Sequence, residues 1–165
     1  MIINIGKKLV GEKKPVFLIA EAGVNHNGSY EIGKKLIDVA VKSGADAVKF
    51  QTFIADNIII PYGPKAKYHL ETTGSNSKLS WFELLKTQEI SRKMHLKLID
   101  YCNKKKIIFL STPYDNESAD LLDELGVCAF KIASTDNDNY PFLAYVAKKN
   151  KPIIISTAMS NMQEI

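Results

Sequence analysis

No stretch of this sequence approaches the roughly twenty apolar residues that a bilayer-spanning helix needs, nor does an apolar run follow the N-terminus as in a secretion signal. The expectation is a soluble, cytoplasmic protein with no membrane partner. Cysteine is scarce, only Cys102 and Cys128, too few for a disulfide framework and without zinc-site spacing. Both read as core-packing thiols. Strong charge of one sign is also missing: the net charge is +4. Much of it sits in Lys104-Lys105-Lys106 and Lys148-Lys149-Asn150-Lys151, where helical patterns end and cations favour the dipole. No aromatic residues are interleaved there, so nucleic acid is not an expected partner. The glycine-rich phosphate loop is absent too, because Gly63-Pro-Lys-Ala-Lys lacks its closing Gly-Lys-Ser/Thr. Among the histidines, His26 reads as a loop brace. His69 and His95 have no partner at metal spacing and read as surface residues.

What is present is an alternation of short strand and helix patterns in 165 residues, 45% of them hydrophobic, enough for one sizeable core. Ile2 to Val10 reads as a hairpin turning near Gly6. A strand at Val16–Ala20 leads into a loop, Glu21–Ser29, and a helix over Tyr30–Ser43. After a strand at Ala47–Gln51, a long connection runs from Phe53 to Ser80. Helices follow at Trp81–Lys86 and Ser91–Lys105, the latter with Ser91 as N-cap. The pattern then tightens: strand Ile107–Ser111, helix Asn116–Leu125, strand Ala129–Ala133, helix Tyr140–Lys149, strand Ile153–Ser156, and a helix beginning at Asn161. Strands joined through helices by short connections mean βαβ units and a parallel sheet. Five strands and four helices fit a doubly wound domain, or the first five units of an eight-fold barrel.

Two lysines interrupt the most apolar strands at matching positions. Gly44-Ala-Asp-Ala-Val-Lys49 and Gly126-Val-Cys-Ala-Phe-Lys131 share one frame: a glycine that ends a helix, then a lysine in mid-strand. Alternation puts Val48 and Phe50 on one face and Lys49 and Gln51 on the other, and the second frame repeats the split. A buried ammonium is costly unless an anion meets it. Chemistry in parallel α/β folds collects at the carboxyl ends of strands. Reading those ends gives Glu21, then Lys49 and Gln51, then Thr112 and Tyr114, then Lys131 and Ser134, then Ser156. Ammonium and hydroxyl groups together suit phosphate and carboxylate oxygens. Glu21 is a candidate acid, base or sugar-hydroxyl acceptor.

At this point the motifs are recognisable. Ile19-Ala-Glu-Ala-Gly-Val-Asn-His-Asn-Gly28, Asp46-Ala-Val-Lys-Phe-Gln-Thr52, Phe109-Leu-Ser-Thr-Pro-Tyr114, Phe130-Lys-Ile-Ala-Ser134 and Ile155-Ser-Thr-Ala-Met159 occur in that order. They resemble the N-acetylneuraminate (sialic acid) synthase family from about Phe17 onward. The resemblance implies the first five strands and four helices of a (β/α)8 TIM barrel. It implies condensation of phosphoenolpyruvate with an N-acetylhexosamine such as N-acetylmannosamine, a divalent metal (Mn2+ or Mg2+), and a homodimer whose partner lends an antifreeze-like domain. By the same resemblance Lys49, Thr112, Lys131, Ser134 and Ser156 hold phosphoenolpyruvate, while Glu21, Gln51, Tyr114 and the loop residue Asn76 lie nearer the sugar.

The sequence departs from the family in two places. Thr135-Asp136 stands where Gly-Glu is common after the strand-four serine, which alters the reach of Asp136 toward the sugar. Ser-Thr-Ala-Met replaces Ser-Thr-Gly-Met on strand five. The Glu21–Gly28 loop favours the neuraminate or legionaminate branch over the pseudaminate one. Because the family's metal-binding histidines lie on later strands, the resemblance implies no metal ligand and little activity in these residues alone. The competing expectations are a legionaminate-type synthase using another acylated amino sugar, and a non-catalytic half-barrel that binds an anion.

Overall fold

The computed structural model describes residues 2–63 and 78–165. An antiparallel hairpin comes first, β1 (Ile2–Ile5) and β2 (Lys8–Gly11), in the register Ile5↔Lys8. Next are β3 (Ile19–Gly23), α1 (Tyr30–Lys42), β4 (Ala47–Thr52) and a single-turn α2 (Ala55–Ile58). After the undescribed residues come α3 (Trp81–Gln88), α4 (Arg92–Lys105), β5 (Ile108–Pro113) and α5 (Asn116–Glu124). The chain continues through β6 (Phe130–Ile132), a 3-10 turn (Ser134–Asp136), α6 (Tyr140–Ala147) and β7 (Ile153–Ile155).

Ladders join β3-β4-β5 in parallel and, separately, β6 with β7; β6 lies beside β5. The strands lie side by side in chain order with no reversal and do not close among the described residues, the arrangement of part of a (β/α) barrel rather than of a doubly wound sheet. Helices cover one face of this sheet. Val48, Phe50, Phe109 and Phe130 point into them and meet Ile37, Leu98 and Leu122. The opposite face is layered. Ala47, Leu110 and Ala129 form an apolar floor sealed by Ile5 of the hairpin. Two residues further along each of those strands come Lys49, Thr112 and Lys131. The hairpin thus fills one end of the interior, and the polar side chains take the other.

The matched glycines end their helices as the frame requires. Gly44 and Gly126 both have φ of +75°, and the next amide reaches back to Ala40 or Leu122. Ser29, Ser80, Ser91 and Asp115 cap α1, α3, α4 and α5 with side-chain oxygens.

Three expectations are corrected. The first parallel strand is Ile19–Gly23, not Val16–Ala20, so Glu21 belongs to the strand rather than the loop. The amide of Leu18 is instead held by the Asp46 carboxylate at 2.9 Å, which starts the ladder one residue later. Asn161–Ile165 makes only a turn, with Asn161 and Glu164 exchanging cap-like hydrogen bonds and no helical ladder following. The third concerns His95, which is fully buried rather than on the surface. His69 and Asn76 lie outside the described residues.

Candidate active site

The site is built on the inner face of β4. Lys49 stands in register with Glu21 of β3 and Leu110 of β5. It is only 8% exposed, so its ammonium requires polar partners. The Glu21 carboxylate forms an ion pair with it, and Nζ donates to Thr112 Oγ1 at 3.5 Å. Glu21 itself is about half exposed (54%), leaning over the strand end from the solvent side.

Lys131 occupies the equivalent place on β6. Its Nζ donates to the carbonyl of Ile132 at 2.6 Å. Burial holds its pKa below the usual lysine range; the nearby positive charge of Lys49 lowers it further, and Glu21 opposes both. The two ammonium groups therefore share one electrostatic neighbourhood, as the matching frames imply. A Cβ placed on Gly23 would lie 3.5 Å from Glu21 Oε1 and 3.7 Å from Gln51 Nε2. Those are ordinary contact distances, so what the glycine supplies is its left-handed φ of +55° rather than space.

The remaining candidates follow the carboxyl ends of β5, β6 and β7. Ser156 donates its amide to the Ile132 carbonyl at 3.2 Å, which sets the end of β7 against the end of β6 where Ser134 begins its turn. In that turn, Asp136 Oδ1 accepts from Asn139 Nδ2 at 3.2 Å, while the buried Oδ2 has no hydrogen-bond partner among the described residues. Burial raises the Asp136 pKa, Asp138 adds to the rise, and Asn139 opposes it. Tyr114 follows β5, its ring edge-on to Phe53 with centroids 6.3 Å apart.

The loops above the mouth are fastened by carboxylates. Asp115 accepts from the amides of Ile54 (3.0 Å) and Ser118 (2.8 Å), and Glu89 accepts from that of Ala55 at 2.7 Å. A cavity of about 580 Å³ opens at the other end of the strands, between the hairpin turn and Lys106, Val127 and Cys128; none of the strand-end candidates lines it.

Sequence reading missed the buried polar cluster behind the site. Thr52, Ser111 and His95 form a hydrogen-bonded chain on the outer face of β4 and β5. A signal was present: His95 falls on the same helical stripe as Met94, Leu98 and Cys102, all buried.

A divalent metal is a poor fit to this donor set. The mouth offers two ammonium groups, hydroxyls, and one carboxylate already paired with Lys49. No group of three or more His, Cys, Asp or Glu side chains that could hold a metal is gathered among the described residues.

Parallel strands with an apolar floor and a cationic, hydroxyl-lined mouth at their carboxyl ends define a segment of the barrel type. The chain belongs to the NeuB family, which it matches over residues 36–165. It is 49% identical over 152 residues to the N,N'-diacetyllegionaminic acid synthase of Campylobacter jejuni, covering 92% of this chain and 45% of that protein. The N-acetylneuraminic acid (sialic acid) synthetase of Leptospira borgpetersenii, solved in complex with citrate, superposes with a TM-score of 0.82 at 33% identity, covering 100% of this chain and 52% of that one. The spore coat polysaccharide biosynthesis protein SpsE of Bacillus subtilis gives a TM-score of 0.78 at 42% identity, covering 99% and 42%. The chain thus spans about half the length of the proteins it matches. No helix among the described residues is long and apolar enough to cross a membrane.

Proposed function

We propose that this chain supplies the phosphoenolpyruvate-binding part of a synthase that joins phosphoenolpyruvate to an acylated amino sugar, giving a nine-carbon 2-keto sugar acid and phosphate. The observation that carries the reading is the pair Lys49 and Lys131 on one inner face, close enough for the charge of one to depress the pKa of the other. Phosphoenolpyruvate brings a phosphate and a carboxylate, the two anionic groups that would relieve this repulsion. Thr112, Ser134 and Ser156 add neutral donors around them.

In the proposed reaction, C3 of phosphoenolpyruvate attacks the aldehyde carbon of the open-chain sugar. Water adds to the cation left at C2, and the resulting tetrahedral carbon expels phosphate as its C–O bond breaks. The contribution of these residues is to hold the enol phosphate in line with its partner, the proximity effect. Glu21, beside Lys49 and Gln51, would orient a sugar hydroxyl or take up a proton. In such chemistry a divalent ion supplies Lewis-acid polarisation of the aldehyde. The described residues gather no ligand set for it.

The second reading narrows the sugar. Identity to the diacetyllegionaminic acid synthase is 49% against 33% for the sialic acid synthetase. This supports a diacetylated amino sugar over N-acetylmannosamine. Calorimetry of the chain with phosphoenolpyruvate tests the site: native protein should bind, and Lys131→Met should fold normally yet bind at least tenfold more weakly, roughly the value of one charge-assisted contact. Undiminished binding by the variant would remove Lys131 from the site. Phosphate release by the longest available chain, with each sugar in turn, separates the two substrate readings.

A further inference from the structure

Behind the lysine-lined mouth lies a chain of buried polar groups whose proton order the structure fixes. His95 Nδ1 is 3.1 Å from the Ser91 carbonyl, an acceptor only, so Nδ1 carries the proton and donates. In the neutral ring Nε2 then has only a lone pair, and at 2.9 Å it accepts from the Thr52 hydroxyl. With its single proton spent there, Thr52 Oγ1 must accept from Ser111 Oγ at 2.7 Å. The order is Ser111 to Thr52 to His95 to the Ser91 carbonyl, with one donor and one acceptor at each link. Thr52, His95 and Ser111 are buried.

The position of this chain gives it meaning. Thr52 adjoins Gln51, and Ser111 adjoins Thr112; Gln51 and Thr112 are directly paired across β4 and β5. Successive strand residues point to opposite faces, so the Thr52–Ser111 bond lies on the helix side of the backbone whose other side carries Gln51, Thr112 and Lys49. The two strand ends are joined here by side chains as well as by their ladder, and α4 holds the joint through His95. Tight functional geometry generally depends on such supporting hydrogen bonds.

We propose that His95 is a positioning residue: its neutral, Nδ1-protonated imidazole anchors Thr52 and Ser111 and thereby sets where Gln51 and Thr112 stand at the mouth. The assignment rests on the anion-binding reading of that mouth only for its effect on affinity. Its effect on the strand ends is independent of any ligand.

The test uses this chain with Thr52→Val, which keeps shape and β-branching but removes the hydroxyl, and Thr52→Ser, which restores it. Val146→Ala, in the same buried cluster but on α6, serves as a control for lost packing. Nitrogen-15 and carbon-13 spectra of the histidines read the tautomer, the strand-end amides report position, and phosphoenolpyruvate titration reads affinity. Native protein should show His95 with the proton on Nδ1 alone. Thr52→Val should give a tautomer mixture, shift the Gln51 and Thr112 signals, and weaken phosphoenolpyruvate binding about tenfold, the weight of one net hydrogen bond. Thr52→Ser should reverse all three, and the control should lower thermal stability without moving them.

A native His95 protonated on Nε2, or a Thr52→Val variant with unmoved Gln51 and Thr112 signals, would overturn the proposal. If native protein ignores phosphoenolpyruvate while Thr52→Val still displaces those signals, the ligand assignment fails and the positioning role stands. Should native protein bind and Thr52→Val bind equally well, the positioning role fails alone.

Discussion

An ammonium group inside a protein persists only against a counter-charge or a cage of acceptors, and the two lysines at the strand ends meet that need unequally. Lys49 has the Glu21 carboxylate and the Thr112 hydroxyl. Lys131 has a backbone carbonyl and a like charge nearby, and its pKa falls. Glu21 therefore competes with any anion for Lys49. Replacing it, as Glu21→Gln, should tighten phosphoenolpyruvate binding up to about fivefold, the upper value of a half-exposed ion pair. Turnover with the sugar should fall in the same variant. A titration paired with a phosphate-release assay reads both, and weaker binding would mean that Glu21 supports the anion rather than opposing it. The lysine pair was legible in sequence because both break an apolar strand at the same distance from a glycine. The burial of His95 was legible in its helical stripe but its partner was not, because a lone histidine on a helix gives no sign of the hydroxyl that meets it from a strand 43 residues away.

At the scale of elements, helix ends show how strongly local rules act here. Gly44 after α1, Gly126 after α5 and Lys106 after α4 are left-handed residues, the last with φ of +60°. The lysine makes the same back-hydrogen bonds, since the amide of Ile107 reaches the Cys102 carbonyl at 3.1 Å, but it bears a Cβ that this conformation disfavours. Lys106→Gly should accordingly stabilise the protein by about 1 kcal/mol, partly offset by the greater freedom of glycine in the unfolded chain. Chemical denaturation reads the change; a lower midpoint would mean that the Lys106 side chain contributes contacts exceeding the backbone strain. Most strands and helices were readable from periodicity and caps. What escaped were α2, only one turn long, and the start of β3, which a side-chain acceptor on Asp46 decides.

Taken whole, the molecule depends on two neutral histidines clamped between helices and sheet. His26 and His95 are both fully buried, and burial lowers each pKa from 6.5 to about 4. The unfolded chain therefore binds protons that the folded chain refuses, so stability rises with pH across this window. Both contributions are present in full above about pH 6.5 and are lost as pH falls through about 4. Each unit of depression is worth about 1.4 kcal/mol at most. Urea midpoints measured from pH 7.5 downward should stay level, then decline below 6.5, and His95→Gln should flatten the decline. A profile flat to pH 4.5 would mean that both rings ionise without cost. Across the same interior the hairpin and the residues Ala47, Leu110 and Ala129 exclude water from one end, which leaves the opposite end as the only polar mouth of this inner face among the described residues.

The sequence by itself determined which face the strand residues take, where the longer helices start and stop, and that two cations would stand on one inner surface. These follow from periods of two and 3.6 and from caps a few residues long. Tertiary structure alone decided the pairings. Glu21 meets Lys49 across 28 positions and Lys49 meets Thr112 across 63, while Thr52 meets Ser111 across 59. Such contacts depend on the register of neighbouring strands and on how α4 packs against them, and no local pattern encodes either.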